Sequence, residues 1–255
     1  MTPLQLHQFG PADGKPLLAL HGLSGHGARW RRFAAEQLPG HRVIAPDLRG
    51  HGRSTALPPW HLGQHVADVL GVLDSLGLDQ IPVMGHSYGG TISLHLADSA
   101  PERVSRLVLV DPSTGLPPAA TREIAESELW PERFDSFEQV RAAQHERWPA
   151  ATEDLVAEEL ADNAVQEADG RWRLRYNPAM AVVAWSEMAR PAVLPPADLP
   201  TLLIRALRAD FVQPEFVRAC QRRLGDKLAL HELDCGHVVY VDRPGELGAL
   251  VAEFV

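Results

Sequence analysis

The stretch that most constrains this chain is Ile81-Pro82-Val83-Met84-Gly85-His86-Ser87-Tyr88-Gly89-Gly90. An apolar run stops at a glycine, a serine follows with glycines two positions to either side, and a helix-compatible segment continues from Thr91 to Ala100. This is Gly-x-Ser-x-Gly set between a strand and a helix, the arrangement of a nucleophile elbow. Such a turn is too tight for a Cβ at Gly85 or Gly89. It also holds the serine in a strained conformation that lifts its hydroxyl clear of the backbone. The helix that starts there aims N–H groups at the place where negative charge would develop during attack.

The rest of the chain supplies strands and helices for a sheet around that turn. Leu17-Leu18-Ala19-Leu20 is a continuous apolar run, as expected of a strand buried on both faces of a parallel sheet. Further strand-like runs fall at residues 4–9, 43–45, 104–110, 199–205 and 228–233. Helical spacing is predicted over 27–38, where Trp30, Phe33, Ala34 and Leu38 read as packing residues. It is also predicted over 61–76, where Val66, Val69, Leu70, Leu73 and Leu76 form one stripe closed by Gly77. Two more helices are expected over 216–224 and 244–255.

Between residue 113 and about residue 197 strand-like runs cease. Glu/Arg-rich amphipathic segments take their place over 121–129, 137–147, 152–167 and 178–188. Pro117-Pro118 marks one margin, and Pro191, Pro195 and Pro196 the other. The division expected is an α/β core from residues 1–112 and 198–255, with residues 113–197 inserted as a helical cap. Trp130, Trp148, Trp172 and Trp185 lie in this insertion; they can fill a small helical core, and Trp130 and Trp185 are candidates to line a pocket beneath it.

Composition narrows the functional classes. At 255 residues and 45% hydrophobic the chain can bury a full core. A net charge of −9 does not suit a nucleic-acid surface, which is normally basic. No apolar stretch approaches the roughly 20 residues that span a bilayer, and residues 1–7 lack the basic and apolar regions of a signal peptide. The expectation is a cytoplasmic protein with no nucleic-acid or membrane partner. Cys220 and Cys235 are too few for a disulfide framework, and Cys235 reads as a buried structural thiol. The 12 histidines are scattered with no His-Glu-x-x-His motif, so no metal is expected. Gly50-His51-Gly52 lacks the third glycine of a dinucleotide fingerprint.

Taken together, five segments resemble the α/β-hydrolase superfamily. They are the elbow, His21-Gly22-Leu23-Ser24-Gly25, Pro46-Asp47-Leu48-Arg49-Gly50-His51-Gly52-Arg53-Ser54, the turn from Ala206 to Glu215 that carries Asp210, and Asp234-Cys235-Gly236-His237. The resemblance implies an α/β-hydrolase fold: a mostly parallel central sheet flanked by helices, with the cap inserted. It implies a catalytic triad in the order Ser87 (nucleophile), Asp210 (acid) and His237 (base). It implies an oxyanion hole from the backbone N–H groups of Leu23 and Tyr88, with His21 and Ser24 facing substrate in the same loop. The family often has glycine where Ala206 stands, and Asp111, also at a strand end, is a competing acid. Asp47, Arg49 and His51 read as loop scaffolding. His86 neighbours Ser87, but adjacent strand residues point to opposite faces, so it is not expected to be the base. His95 reads as a helix-surface or packing histidine.

The function expected is a cofactor-free serine hydrolase, carboxylesterase-like, that cleaves an ester, lactone or thioester of a small apolar molecule through an acyl-enzyme. Carbon–carbon bond hydrolysis, acyl transfer and perhydrolysis use the same triad, and a low-turnover small-molecule receptor is the non-enzymatic alternative. Ser87 stands where haloalkane dehalogenases and epoxide hydrolases need a carboxylate, which argues against those branches.

Overall fold

The computed structural model describes residues 4–255; residues 1–3, part of the N-terminal segment considered above, lie outside the described residues. Seven strands form one sheet in the order β1-β3-β2-β4-β5-β8-β9. They are β1 (Leu6–Phe9), β2 (Lys15–Leu20), β3 (His41–Pro46), β4 (Ile81–His86), β5 (Val104–Val110), β8 (Thr201–Ala206) and β9 (Leu228–Leu233). Among the described residues of this sheet only β1 pairs antiparallel, with β3; its other pairings are parallel.

Residues alternate between two cores, as a period of two requires. Leu18 and Leu20 of β2 and Leu107 and Leu109 of β5 face one cluster with α2 (Leu62–Ser75), α3 (Tyr88–Ser99) and α8 (Pro214–Leu224). Leu17, Ala19, Val108 and Val110 face the other, with α1 (Arg31–Gln37), α9 (Val239–Asp242) and α10 (Pro244–Phe254). Both faces are covered, which is why these strands read as continuous apolar runs. Trp30 and Phe33 are core, as their spacing predicts.

The strand order reverses between β2 and β4. From β2 the chain moves outward to β3, with β1 beyond it at the edge, then crosses back to β4 and moves outward through β5 and β8 to β9 on the other side. Open α/β sheets place ligands outside the carboxyl ends of their strands at such a switch point. The loops carrying Leu23 and Ser87 leave the sheet there.

Between β5 and β8 the chain forms α4 (Pro118–Glu128), α5 (Phe137–Arg147), α6 (Glu153–Asn163), the hairpin β6 (Ala164–Gln166) and β7 (Trp172–Leu174), and α7 (Pro178–Met188). The expectation of a helical segment over 152–167 in the helical cap is corrected here. Helix α6 ends at Asn163, and residues 164–174 fold back as an antiparallel pair around Asp169-Gly170. Gly170 adopts φ +86°, the left-handed position that follows the Glu167–Gly170 turn in a three-residue hairpin loop. Val140, Val156, Leu160, Ala164 and Leu174 give the insertion a small core of its own, with Trp172 packed against it. Trp148 instead joins the main core. Among the described residues, no helix is long and apolar enough to cross a membrane.

Candidate active site

The elbow has the geometry its glycines predict. Ser87 sits at the junction of β4 and α3 with φ +55° and ψ −120°, a conformation that L-residues rarely adopt. A Cβ on Gly85 would come within 2.4 Å of the Gly89 carbonyl oxygen, and one on Gly89 within 2.4 Å of the Leu20 carbonyl oxygen. Only glycine lets the strand, the helix and the neighbouring β2 end approach this closely.

Ser87 Oγ lies 2.8 Å from His237 Nε2. His237 Nδ1 lies 2.6 Å from Asp111 Oδ2, and Asp111 Oδ1 accepts the Ala206 N–H at 2.9 Å. As a carboxylate, Asp111 offers only acceptors, so Nδ1 carries the imidazole proton and Nε2 is left to accept the Ser87 hydroxyl. Asp111 is fully buried at the end of β5, with φ +44°. Asp is one of the few side chains that tolerate that region.

The expected acid Asp210 is therefore corrected: the structure does not bring it to His237. After β8 the chain follows the exit of β9, with Leu207 N–H donating to Leu233 O at 2.9 Å and Arg208 N–H to Cys235 O at 3.0 Å. This path leaves Asp210 exposed. Phe211 turns inward instead and lies over the imidazole, ring centroids 4.0 Å apart.

His21 is corrected too. It is completely buried behind the loop, not on the pocket wall. Its Nδ1 donates to Gly22 O at 2.8 Å, and its Nε2 accepts the Leu48 N–H at 2.9 Å. Burial drives its pKa down to about 3, so it stays neutral and fixes the loop as a hydrogen-bonded post. His86 is buried on the far side of β4, as the strand alternation predicts, and donates from Nε2 to the His237 carbonyl oxygen at 2.9 Å.

The loop-scaffold reading of Asp47 and Arg49 matches what they touch. Asp47 accepts from Gly27 N–H at 2.7 Å, Arg53 N–H at 2.8 Å and His7 Nε2 at 3.0 Å. Burial opposes its ionisation, but these three donors outweigh it and hold the carboxyl well below the usual range. Arg49 makes a two-pronged pair with Asp68 at 2.6 and 2.7 Å. Burial raises the Cys235 thiol to about 11 and Cys220 to about 12, which leaves neither suited to act as a nucleophile at neutral pH.

Above Ser87 and His237 lies a cleft of about 430 Å³ between core and insertion. The core contributes Leu23, Ser24 and Phe211. The insertion contributes Glu128, Trp130, Glu132, Arg147, Tyr176, Trp185 and Met188. Trp185 and Trp130 both line it, although Trp130 is 85% exposed at the rim. Among the described residues the Leu23 N–H has no hydrogen-bond acceptor, and Tyr88 opens α3, where the first N–H groups have no intrahelical partner.

Several contributors have no local sequence signal. Ser113 is buried with its Oγ 3.1 Å from Ser87 Oγ. Glu128 accepts from Tyr176 Oη at 2.8 Å and from Trp185 Nε1 at 3.4 Å. Arg147 pairs with Glu132. A second cavity of about 250 Å³, between α1 and α6, contains none of the residues around Ser87. Among the described residues, no group of three or more His, Cys, Asp or Glu side chains is arranged to hold a metal ion.

This sheet, elbow and histidine define a class, and a family model for the alpha/beta hydrolase fold matches residues 15–244. The chain belongs to the α/β-hydrolase family. It is similar to Lipase LipV of Mycobacterium tuberculosis, 35% identical over 251 residues that cover 97% of this chain and 96% of that protein. A shorter match, 41% identical over 111 residues, relates 41% of it to 39% of a 2-hydroxy-6-oxo-2,4-heptadienoate hydrolase of Pseudomonas putida. In fold it is similar to a solved marine microorganism esterase, with a TM-score of 0.80, 20% identity and complete coverage of both chains.

Proposed function

We propose that this protein is a serine hydrolase that cleaves a carboxylic ester, lactone or thioester through an acyl-enzyme, without a cofactor. The observation that carries the reading is the unbroken relay Asp111–His237–Ser87, with contacts of 2.6 and 2.8 Å. Ser87 Oγ attacks the acyl carbonyl while His237 Nε2 takes its proton. His237 then returns that proton to the leaving alcohol or thiol. Asp111 holds the tautomer and stabilises the imidazolium. The tetrahedral oxyanion accepts hydrogen bonds from the Leu23 and Tyr88 amides, each worth about 3 kcal/mol by analogy with oxyanion donors elsewhere. Water enters as the second nucleophile by the same machinery.

The pocket favours a small, largely apolar acyl group. Leu23, Met188, Trp185 and Phe211 supply apolar walls around the nucleophile, and polar groups are concentrated on the insertion side. The whole-length likeness to a protein named a lipase supports ester chemistry over carbon–carbon cleavage, for which the likeness covers less than half the chain.

Intact-mass labelling with a fluorophosphonate, followed by peptide mapping, tests this without a known substrate. One adduct on Ser87 is expected, absent from Ser87→Ala and His237→Ala. A folded wild type that takes no adduct refutes the serine-hydrolase reading.

A further inference from the structure

Ser24 is strained, with φ +58°, and lies in the loop that presents the Leu23 N–H. Within the loop, the Gly25 N–H donates to Gly22 O at 3.1 Å. What holds the outer side comes from the insertion, 139 residues away: Asn163 Nδ2, at the end of α6, donates to the Ser24 carbonyl oxygen at 3.0 Å. The same nitrogen donates to Glu159 Oε1 at 2.9 Å, and Asn163 Oδ1 accepts the Arg175 N–H at 3.3 Å. Both amide hydrogens are committed and the oxygen is occupied, so the side chain has one orientation. Asn163 is fully buried.

Glu159 is held as firmly. It accepts from Arg29 Nε at 3.1 Å and Nη2 at 2.5 Å, and from His26 Nε2 at 3.0 Å, and is itself buried. Burial works against its charge, but Arg29 and His26 outweigh burial and keep its carboxyl well below the ordinary range. Arg29 in turn lies over the Trp148 ring at 5.0 Å and against Gly25. A charge network this deep is costly unless fully paired.

We infer that Asn163, oriented by Glu159, is a positioning residue for the oxyanion loop, so that helix α6 of the insertion sets the direction of the Leu23 N–H. This rests on the serine-hydrolase reading above. Without Asn163 the Ser24 carbonyl loses its buried donor, and a strained residue has one restraint fewer. The Leu23 N–H then samples positions away from the oxyanion. Donor misplacement of about 1 Å is enough to cost on the order of 100-fold in rate. The ground-state ester, bound by the pocket walls, is affected little.

Asn163→Leu keeps the side-chain size and removes the amide. The Arg175 N–H retains the Asn163 backbone oxygen at 2.7 Å as its acceptor, so one orphan, the Ser24 oxygen, is created at the loop. On a p-nitrophenyl ester turned over by the wild type, kcat should fall about 10- to 100-fold with KM within about twofold. The rate of fluorophosphonate labelling of Ser87 should fall by a similar factor. If Asn163→Leu does not fold, Asn163→Ser, too short to reach Ser24, carries the same comparison.

The control is the double variant Arg31→Ala/Arg32→Ala, which breaks the surface pairs of α1 with Asp162 (3.0 Å) and Glu158 (2.5 Å) on the same helix. It should stay within about twofold of wild type. An equal loss in the control assigns the effect to general loosening of α6 and overturns the proposal. So does a folded Asn163 variant with wild-type kcat and labelling rate, which leaves the serine-hydrolase reading intact. A wild type that is neither labelled nor active overturns both.

Discussion

Asp111→Asn separates the two candidate acids, and the structure sets the size of the effect. Asp111 uses both carboxylate oxygens as acceptors, one for the Ala206 N–H at 2.9 Å and one for His237 Nδ1 at 2.6 Å. Asparagine has one acceptor and one donor to fill those places. If its oxygen keeps Ala206, its NH2 faces Nδ1. The imidazole must then carry its proton on Nε2, where it can no longer accept from Ser87. If the amide flips, its NH2 opposes the Ala206 N–H in a fully buried site, which costs about 1–3 kcal/mol for the unsatisfied donor. The first arrangement is favoured, and it disables the base. Loss of the correct tautomer costs about 10⁴ in trypsin-like enzymes, so kcat for Asp111→Asn should drop about 10³- to 10⁴-fold, equivalent to about 4–5.5 kcal/mol. Asp210 is exposed, and among the described residues only its backbone oxygen is engaged, by Gln213 Nε2 at 2.6 Å. Asp210→Asn should remain within about twofold of wild type, as surface substitutions usually do. Steady-state hydrolysis of a chromogenic ester, with circular dichroism to show that both variants fold, decides the matter. A collapse of activity in Asp210→Asn with little change in Asp111→Asn would refute the assignment.

Two further predictions concern charge. Burial lowers the pKa of His21 to about 3 and of His65 to about 4. Both folded values lie below the unfolded value of about 6.5, so the unfolded state takes up protons first and stability must fall as pH drops below about 6.5. From pH 7 to pH 5 the two together remove at most about 4 kcal/mol; urea unfolding that gives the same free energy at both pH values would contradict neutral burial. Glu128 brings a carboxylate to the cleft wall, partly shielded from solvent. A succinyl-type anionic ester should therefore be a poorer substrate than its neutral analogue, and Glu128→Gln should raise kcat/KM for the anionic ester by about fivefold, the equivalent of ~1 kcal/mol of screened repulsion. No change in the ratio of the two specificity constants would remove Glu128 from substrate selection.

How much of this was legible in the sequence depends on how local each constraint is. Gly85, Ser87 and Gly89 announce themselves because one tight turn dictates all three. The two-core sheet is legible because each strand is apolar on both faces. His237 is placed by its Gly-His pair after the last strand. The acid was not decided locally, because Asp111 and Asp210 both follow strand ends. What separates them is the course of residues 207–213 against the exit of β9, a tertiary choice reinforced by the Arg208–Asp234 pair at 2.6 Å. His21 sits in the right loop but packs behind it, and nothing in His-Gly states which way a ring turns. The hairpin in the insertion is a different matter: Asp169-Gly170 between Val165 and Trp172 is a readable turn signal. It was obscured by helical spacing that continues into it. Asn163 meets the Leu23–Ser24 loop across 139 residues, Glu159 meets Arg29 and His26 across 130 and 133, and these contacts leave no local trace.

The proposed acid lies where the insertion leaves the core. Asp111 is the first residue after β5, and the insertion follows at once. Ser113 N–H donates to Ser87 O at 3.2 Å, and Thr91 Oγ1 donates to Ser113 O at 2.5 Å. The departing chain is therefore stapled to the elbow before it leaves the core. Helix α6 returns to the same site from the other direction, through Asn163 and Ser24. The insertion thus touches the Ser87 turn where it begins and the Leu23–Ser24 loop near its middle, while Glu128, Tyr176 and Trp185 form the far wall of the cleft. With the proposed acid directly after β5, the loop after β8 need not carry a catalytic carboxylate, and Phe211 occupies the face of the imidazole instead. A change in that loop can then alter the pocket wall while leaving the tautomer-fixing contact intact, because Asp111 is anchored by the backbone of Ala206 and not by any side chain beyond it.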